Sequence, residues 1–340
     1  MERTLTPAQL NRALLARQLL LVRRRLSLPR AVEQVGGLQT QYAPSAYVGL
    51  WTRLAGFERD ALTRALERRS LVQATLMRNT IHVVSRADYW PLVIAVRAER
   101  MAWSRSVQRT DARTVRRAAE RLRRFLADGP RRQKEIAEAG LWVPGVGIWL
   151  DLVRVPPCGT WERRRADLFG LAEDWVGPEP ELGEKEAREH LVRRYLAAFG
   201  PAPRRDIANW AGMSVGALAA AFKCLPLRRF RDEAGRELLD VPRAPLPPAA
   251  TPAPVRFLPT WDATVLVHAR RTAILSEEHR KRIFNVRNPQ SERTFLVDGK
   301  VAGAWRYDDE RIALEPFGRL PRATRAELED EAERLAAFHA

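Results

Sequence analysis

The sequence predicts an α+β chain, and three observations carry that prediction. An order of several helices followed by a two-stranded hairpin recurs three times. The third recurrence holds a short helix, a glycine turn and a capped second helix, the pattern of a helix-turn-helix. Prolines at 242, 245, 247, 248, 252 and 254 then mark an extended linker, beyond which strands replace helices. The reading is three tandem winged-helix units and a β-rich C-terminal segment with a final helix. The expected boundaries are 1–110, 111–182, 183–242 and 243–340, and 340 residues suit several domains.

Local signals justify each element in turn. Thr6-Pro7-Ala8-Gln9 is a capping box with proline at the first helical position, and Leu10, Leu14 and Leu15 give the apolar stripe of its helix. A second helix starts at Ser27-Leu28-Pro29 and stops at Gly36-Gly37. Helices are expected over 46–54 and 59–69. The runs 71–77 and 80–84, rich in Val, Leu, Ile and Thr, read as a hairpin around Arg78-Asn79. Ser85-Arg86-Ala87-Asp88 opens a long helix reaching residue 106. In the second stretch, 112–126 is a basic amphipathic helix, broken by Gly129-Pro130, and 133–139 is a short helix. There 147–155 reads as an apolar helix, and 160–176 as a hairpin packed by Trp161, Phe169 and Trp175. In the third, 184–199 is helical, and 204–210 and 215–222 flank Ala211-Gly212-Met213, with Ser214 as cap. Two strands follow over 227–241, around Glu233-Ala234-Gly235. After the linker, 255–258, 265–268, 294–297 and 301–305 read as strands, Asp298-Gly299-Lys300 as a hairpin turn, and 322–339 as a closing helix.

Composition narrows the function. There are 58 Lys and Arg against 41 Asp and Glu, a net charge of +17. Such a fold attracts polyanions, and arginine suits phosphate oxygens. Lysine occurs only at 134, 185, 223, 281 and 300, so a GC-rich genome would write a similar surface. Cys158 and Cys224 are too few for a disulfide framework or a cysteine zinc site, and the five histidines lack metal-ligand spacing; no metal is expected. Gly145-Val146-Gly147 lacks the third glycine of a dinucleotide loop, and neither GxxxxGK[ST] nor G-x-S-x-G occurs. No nucleotide cofactor is therefore expected. No uncharged run reaches the ~18 residues of a membrane span, and Met1–Thr6 lacks a secretory pattern. A cytoplasmic, nucleoid-associated monomer is expected, with no membrane partner.

Gln39-Thr40-Gln41 follows a glycine pair, sits among apolar residues and carries no charge. On an extended backbone, residues two apart point to one side, so both amides could converge on one small target. Taken alone, two amides bonding nearby backbone give the same pattern. The surrounding residues add more. Gly36-Gly37-Leu38-Gln39-Thr40-Gln41-Tyr42-Ala43-Pro44, running into Ala46-Tyr47-Val48-Gly49-Leu50-Trp51, resembles the signature of the AlkZ-like bacterial DNA glycosylases. Met77–Val84, the helix-turn-helix at 206–214, Phe257–Asp262, Thr294–Gly299 and Val301–Trp305 agree, in order, over nearly the whole chain. The family motif is Gln, an aliphatic residue, Gln; Thr40 in the middle is a mild departure that leaves both amides in place.

The resemblance implies three winged-helix domains around a C-shaped basic cleft for double-stranded DNA. It implies hydrolysis of the N-glycosidic bond of N7-alkylated purines, bulky or crosslinked ones included, in alkylation repair or antibiotic self-resistance. Gln39 and Gln41 would be catalytic. Tyr42, Trp261 and Asp262 would lie near the lesion. Arg78, His82, Arg163, Arg204, Arg205, Arg228 and Arg229 are candidate DNA contacts, drawn from the hairpin tips and arginine runs. The alternatives are a winged-helix transcription regulator without chemistry, and an architectural protein that coats damaged DNA. Val215–Phe222 is almost wholly apolar and a poor reader of base edges, which counts against the regulator.

Overall fold

The computed structural model describes residues 3–107, 111–266, 268–284 and 291–340. The expected boundary at residue 110, and Val267 of the expected strand 265–268, lie outside them. The chain enters through strand β1 (Thr4–Leu5) and helix α1 (Pro7–Arg17). Its capping box forms as read: Thr6 Oγ1 accepts from the Gln9 N–H at 3.2 Å, and Gln9 Oε1 from the Thr6 N–H at 3.0 Å. Helix α2 (Leu28–Val35) ends at Gly36, in the left-handed region at φ +78°. Then come β2 (Leu38–Gln39), α3 (Pro44–Trp51), α4 (Arg59–Glu67), the hairpin β3 (Leu71–Thr75) and β4 (Ile81–Ser85), and the long α5 (Arg86–Val107).

The second stretch departs from expectation. It holds α6 (Ala112–Leu126), β5 (Arg131–Arg132), α7 (Gln133–Glu138), α8 (Val146–Trp149), β6 (Leu152–Arg154), β7 (Leu168–Leu171) and α9 (Ala172–Val176). The apolar helix expected over 147–155 stops at Trp149, because Leu150 is extended (φ −129°, ψ 125°). The hairpin moves upstream accordingly, leaving Trp161 in the loop between β6 and β7 and Trp175 on α9. The cause is tertiary. Strand β3 supplies a partner, pairing Gln73 with Arg154 and Ala74 with Val153, and so turns an ambiguous apolar run into a strand.

The third stretch follows the reading except in its second helix, expected over 215–222: α10 (Glu184–Phe199), α11 (Arg204–Ala211), a turn at Gly212 (φ +74°), a 3-10 turn at Gly216–Leu218, α12 (Ala219–Cys224), then β8 (Arg228–Asp232) and β9 (Glu237–Asp240). Ser214 Oγ accepts from the Ala217 N–H at 3.1 Å. Beyond the linker lie β10 (Arg256–Leu258), α13 (Glu277–Ile283), β11 (Thr294–Val297), β12 (Lys300–Asp308), β13 (Arg311–Pro316) and α14 (Arg322–His339). Residues 265, 266 and 268 form turns, not the expected strand. Asp262 Oδ1 accepts from the Thr264 N–H at 3.0 Å and bends the chain just before them.

Among the described residues, three sheets organise these elements. One is six-stranded, in the order β2-β4-β3-β6-β7-β5, so the first two stretches share a sheet. One is three-stranded, β1-β8-β9, with β1 parallel to β8. The last is the antiparallel β10-β11-β12-β13. Tyr47 of α3, Trp161, Phe257, Trp305 and Leu335 of α14 occupy one core, which seats the C-terminal sheet against the first stretch. The turn at Gly299 docks on α1: Asn11 Nδ2 donates to Gly299 O at 2.7 Å. A Cβ at Gly299 would lie 2.5 Å from Leu15 Cδ1. The guanidinium of Arg17 meets Asp240 at 2.6 and 2.9 Å, both side chains fully buried, and binds α1 to β9. Arg17 and Arg12 also donate to the linker carbonyls of Pro245 and Thr251. Among the described residues, no helix is long and apolar enough to cross a membrane.

Candidate active site

The Gln39–Gln41 segment lies where the six-stranded sheet meets the C-terminal region. Two left-handed glycines, Gly36 and Gly37 (φ +83°), turn the chain out of α2 into β2. There Gln39 stands opposite His82 of β4. Pairing continues one residue further, the Thr40 N–H donating to Ile81 O at 2.8 Å. It then ends, because the Ile81 N–H is taken by Gln41 Oε1 at 2.7 Å. Gln41 is exposed at that edge, and Gln39 is buried. Thr40 is buried too, its hydroxyl within reach of Gln73 Nε2 at 3.5 Å.

The Gln39 carbonyl has a specific partner. Arg78, at the tip of the β3–β4 hairpin in the left-handed region (φ +53°), donates through Nη2 to Gln39 Oε1 at 2.8 Å. Its Nη1 donates to the backbone carbonyl of Trp210 on α11. A guanidinium has only donors, so it fixes which end of the Gln39 amide faces it. The Ile81 N–H does the same for Gln41. Both carbonyls are thus oriented, and each oxygen keeps a second lone pair. Arg78 is itself locked. A Cβ at Gly212 would lie 3.0 Å from the Arg78 N and Cα, so the glycine of the helix-turn-helix is needed for this approach. Burial pulls the Arg78 guanidinium down to about 10, still charged at neutral pH.

The other candidates fall into three groups. Arg78 and His82 face inward. His82 is 2% exposed, its Nδ1 donating to Thr80 O at 3.0 Å. Burial, then the Arg78 charge, pushes the imidazole down to about 3, so it is neutral and no cation for phosphate. Trp261 and Asp262 line a narrow crevice together with Gln39, Arg53 and Thr260. Trp261 is left-handed (φ +65°), and its buried Nε1 has no partner among the described residues. The Asp262 carboxylate meets Arg53 at 2.9 and 3.0 Å with both side chains buried, so the one carboxylate that lines the crevice among the described residues is already committed.

The third group is basic. Arg163 and Arg205 are exposed, and neither they nor Arg228 meet a carboxylate among the described residues. Arg204 and Arg229 share Glu237, Arg204 also lying over the Phe222 ring. Arg228 lies over Phe230. Tyr42, half-buried, accepts through its hydroxyl from Arg164 Nη1 at 3.0 Å. Sequence reasoning missed Arg53, whose partner Asp262 lies 209 residues on, Arg293, which lies over the distant Tyr42 ring, and Ser45. A cavity of about 350 Å³ walled by Leu10, Phe199, Asp206 and Arg271 contains neither glutamine. Among the described residues, no group of three or more His, Cys, Asp or Glu side chains could hold a metal ion.

The sequence matches the family described as DNA glycosylase AlkZ-like over residues 32–338. It is 23% identical to an interstrand DNA cross-link repair glycosylase from Streptomyces sahachiroi, over 94% of this chain and 93% of that protein. The fold superposes on the structure of Streptomyces sahachiroi DNA glycosylase AlkZ with a TM-score of 0.82, at 21% identity, covering 99% of this chain and 97% of that one. With a match across most of its length, the chain belongs to the AlkZ-like DNA glycosylases.

Proposed function

We propose that this DNA glycosylase releases N7-alkylated purines, bulky or crosslinked adducts included, from double-stranded DNA, with Gln39 and Gln41 as the catalytic residues and the chain acting as a monomer. Alkylation at N7 puts positive charge on the purine and makes it a good leaving group, so a strong general acid is unnecessary. The C1′–N9 bond breaks with its electron pair going to the base. Water then adds to C1′, its proton passes to solvent, and the products are a neutral alkylpurine and an abasic site. What remains for the protein is to hold the water and to stabilise the sugar cation, and fixed amide carbonyl dipoles do both. The observation that carries this reading is the orientation of both carbonyls by Arg78 and the Ile81 N–H. Exposed arginines such as Arg163 and Arg205 would hold phosphates, giving affinity without sequence preference.

The test is incubation with duplexes carrying a panel of N7-guanine adducts, from methyl to bulky aromatic, followed by alkali. Strand breaks at the adduct are expected, along with free alkylguanine. Intact strands for every adduct would overturn the substrate class. On a responsive adduct, Arg78→Ala is expected to lower kcat about 10-fold with KM little changed, since the Gln39 amide is then free to turn. Arg78→Lys should restore part of the rate. Equal losses in both variants, tracking a loss of thermal stability, would mark Arg78 as structural only.

A further inference from the structure

Directly beyond Gln41 the chain opens a second cavity that the catalytic reading leaves unused. It measures about 160 Å³ and is walled by Tyr42, Ser45, Trp161, Trp305 and His339, with Arg164 and Arg293 at its sides. No carboxylate lines it among the described residues. Arg164 and Arg293 each lie over the Tyr42 ring, at 5.8 and 5.9 Å from its centroid, and Arg293 also lies 5.3 Å from the centroid of Trp305. Neither pairs with a carboxylate among the described residues; Arg164 is exposed and Arg293 half-buried.

Several polar atoms there have unused hydrogen-bonding capacity. Arg164 can only donate, so the Tyr42 hydroxyl that accepts from it keeps its own proton for another acceptor. Ser45 Oγ and His339 Nε2 are buried and have no partner among the described residues. Leaving a buried hydroxyl unsatisfied is costly, so the retention of Ser45 beside two cations that pair with no carboxylate among the described residues points to a ligand rich in acceptor oxygens. The surroundings are positive enough to act on His339. Burial, then Arg293, Arg59 and Arg164, pushes its imidazole down to about 4.

We propose that Tyr42, Ser45, Arg164 and Arg293 form a phosphodiester site for the DNA strand immediately beside the reacting nucleotide. The proposal rests on this enzyme acting on DNA, and on Gln39 and Gln41 marking the reacting sugar. Tyr42 is the residue after Gln41, so a phosphate held there fixes the neighbouring sugar relative to both amides. The site acts as a ruler along the backbone and not as a general basic surface. Its geometry is set by α3, which carries Ser45, and by Arg293, the residue before β11.

The test is binding of a duplex bearing a single non-hydrolysable abasic analogue, read by fluorescence anisotropy, which needs no turnover and no particular adduct. Each of Arg164→Ala and Arg293→Ala should weaken binding about 10-fold and reduce the slope of log K against log salt by about one. Arg164→Lys should keep the slope. A scan replacing one phosphate at a time by neutral methylphosphonate should show one position, adjacent to the lesion, that weakens the wild type and leaves the Arg164→Ala/Arg293→Ala variant unchanged. Tyr42→Phe, which removes only the hydroxyl, should weaken the response at that position alone. Losses of equal size at every phosphate would overturn the ruler. So would equal methylphosphonate profiles in the wild type and the double variant, even if millimolar inorganic phosphate binds, because that would describe a free-anion site. Failure of the adduct panel with success here would reject the substrate class and leave the phosphate site standing.

Discussion

Asp262→Ala is expected to destabilise the protein by about 3–5 kcal/mol, a larger loss than its place beside Gln39 would suggest. The Arg53 guanidinium is buried at 1% side-chain exposure and donates to Asp262, Gly49 O, Gln18 Oε1 and Thr264 Oγ1. Removing the carboxylate leaves that charge without its counter-ion, and the cost is the unpaired cation more than the lost contact. A urea unfolding curve checks it. Replacing both partners with apolar residues, Arg53→Met with Asp262→Leu, should recover much of the loss. A loss below about 1 kcal/mol for Asp262→Ala would show that the pair is not a structural post. The pH dependence has a definite sign. Burial alone raises the carboxyl, but the Arg53 charge and hydrogen bonds, with those from Thr264, hold Asp262 below the ordinary carboxylate value. A lowered acid pKa contributes stability that is fully present above the unfolded value of ~4, and that is lost as pH falls through the folded one. The wild type should therefore lose this contribution in acid, and Asp262→Ala should show a flatter acid limb.

Gln39→Ala and Gln41→Ala are each expected to lower the single-turnover rate of base release by about 10²-fold, near 2.7 kcal/mol of barrier. Binding of undamaged duplex should barely move. The double variant should lose less than the product of the two, because in the proposed mechanism the amides act on one water and one sugar cation. Wild-type release of an N7-alkylguanine by both single variants would sink the assignment. Stability separates the two positions as well. Gln39 is buried against Arg78, so its truncation also leaves a guanidinium donor unmatched. Gln41 is exposed, so its truncation should leave the unfolding curve almost unchanged.

What the sequence shows and hides follows from the range of each interaction. The capping box at Thr6 and Gln9, the glycine stop after α2, the β3–β4 hairpin and the limits of α14 depend on neighbours a few residues away. They were legible. The apolar run around Trp149 was not, since β3 decides where it becomes a strand, and β3 lies some eighty residues upstream. The same holds at the site. The glutamine pair could be found from its glycines and its resemblance to a family. The inward turn of Arg78 depends on Gln39 and Trp210, 39 and 132 residues distant, so a hairpin-tip arginine looked like a surface cation. His82 was hidden for a related reason: its strand lies between β2 and β3 in the sheet, and nothing beside it in the chain announces that.

Strand β1 and helix α1 find their partners late. Leu5 pairs with Asp232, and Arg17 with Asp240, 223 residues further on. Leu5 and Arg17 therefore cannot make these pairings until residues 232 and 240 have been synthesised. Segment-by-segment folding during translation can shape the hairpins and the second stretch, but the closing of the whole must wait. Such long-range closure slows folding, because chain entropy is spent before the contact repays it. Arg78, held through Nη1 by the Trp210 carbonyl of α11, belongs to the same late event, so an unfinished chain would present Gln39 without this partner.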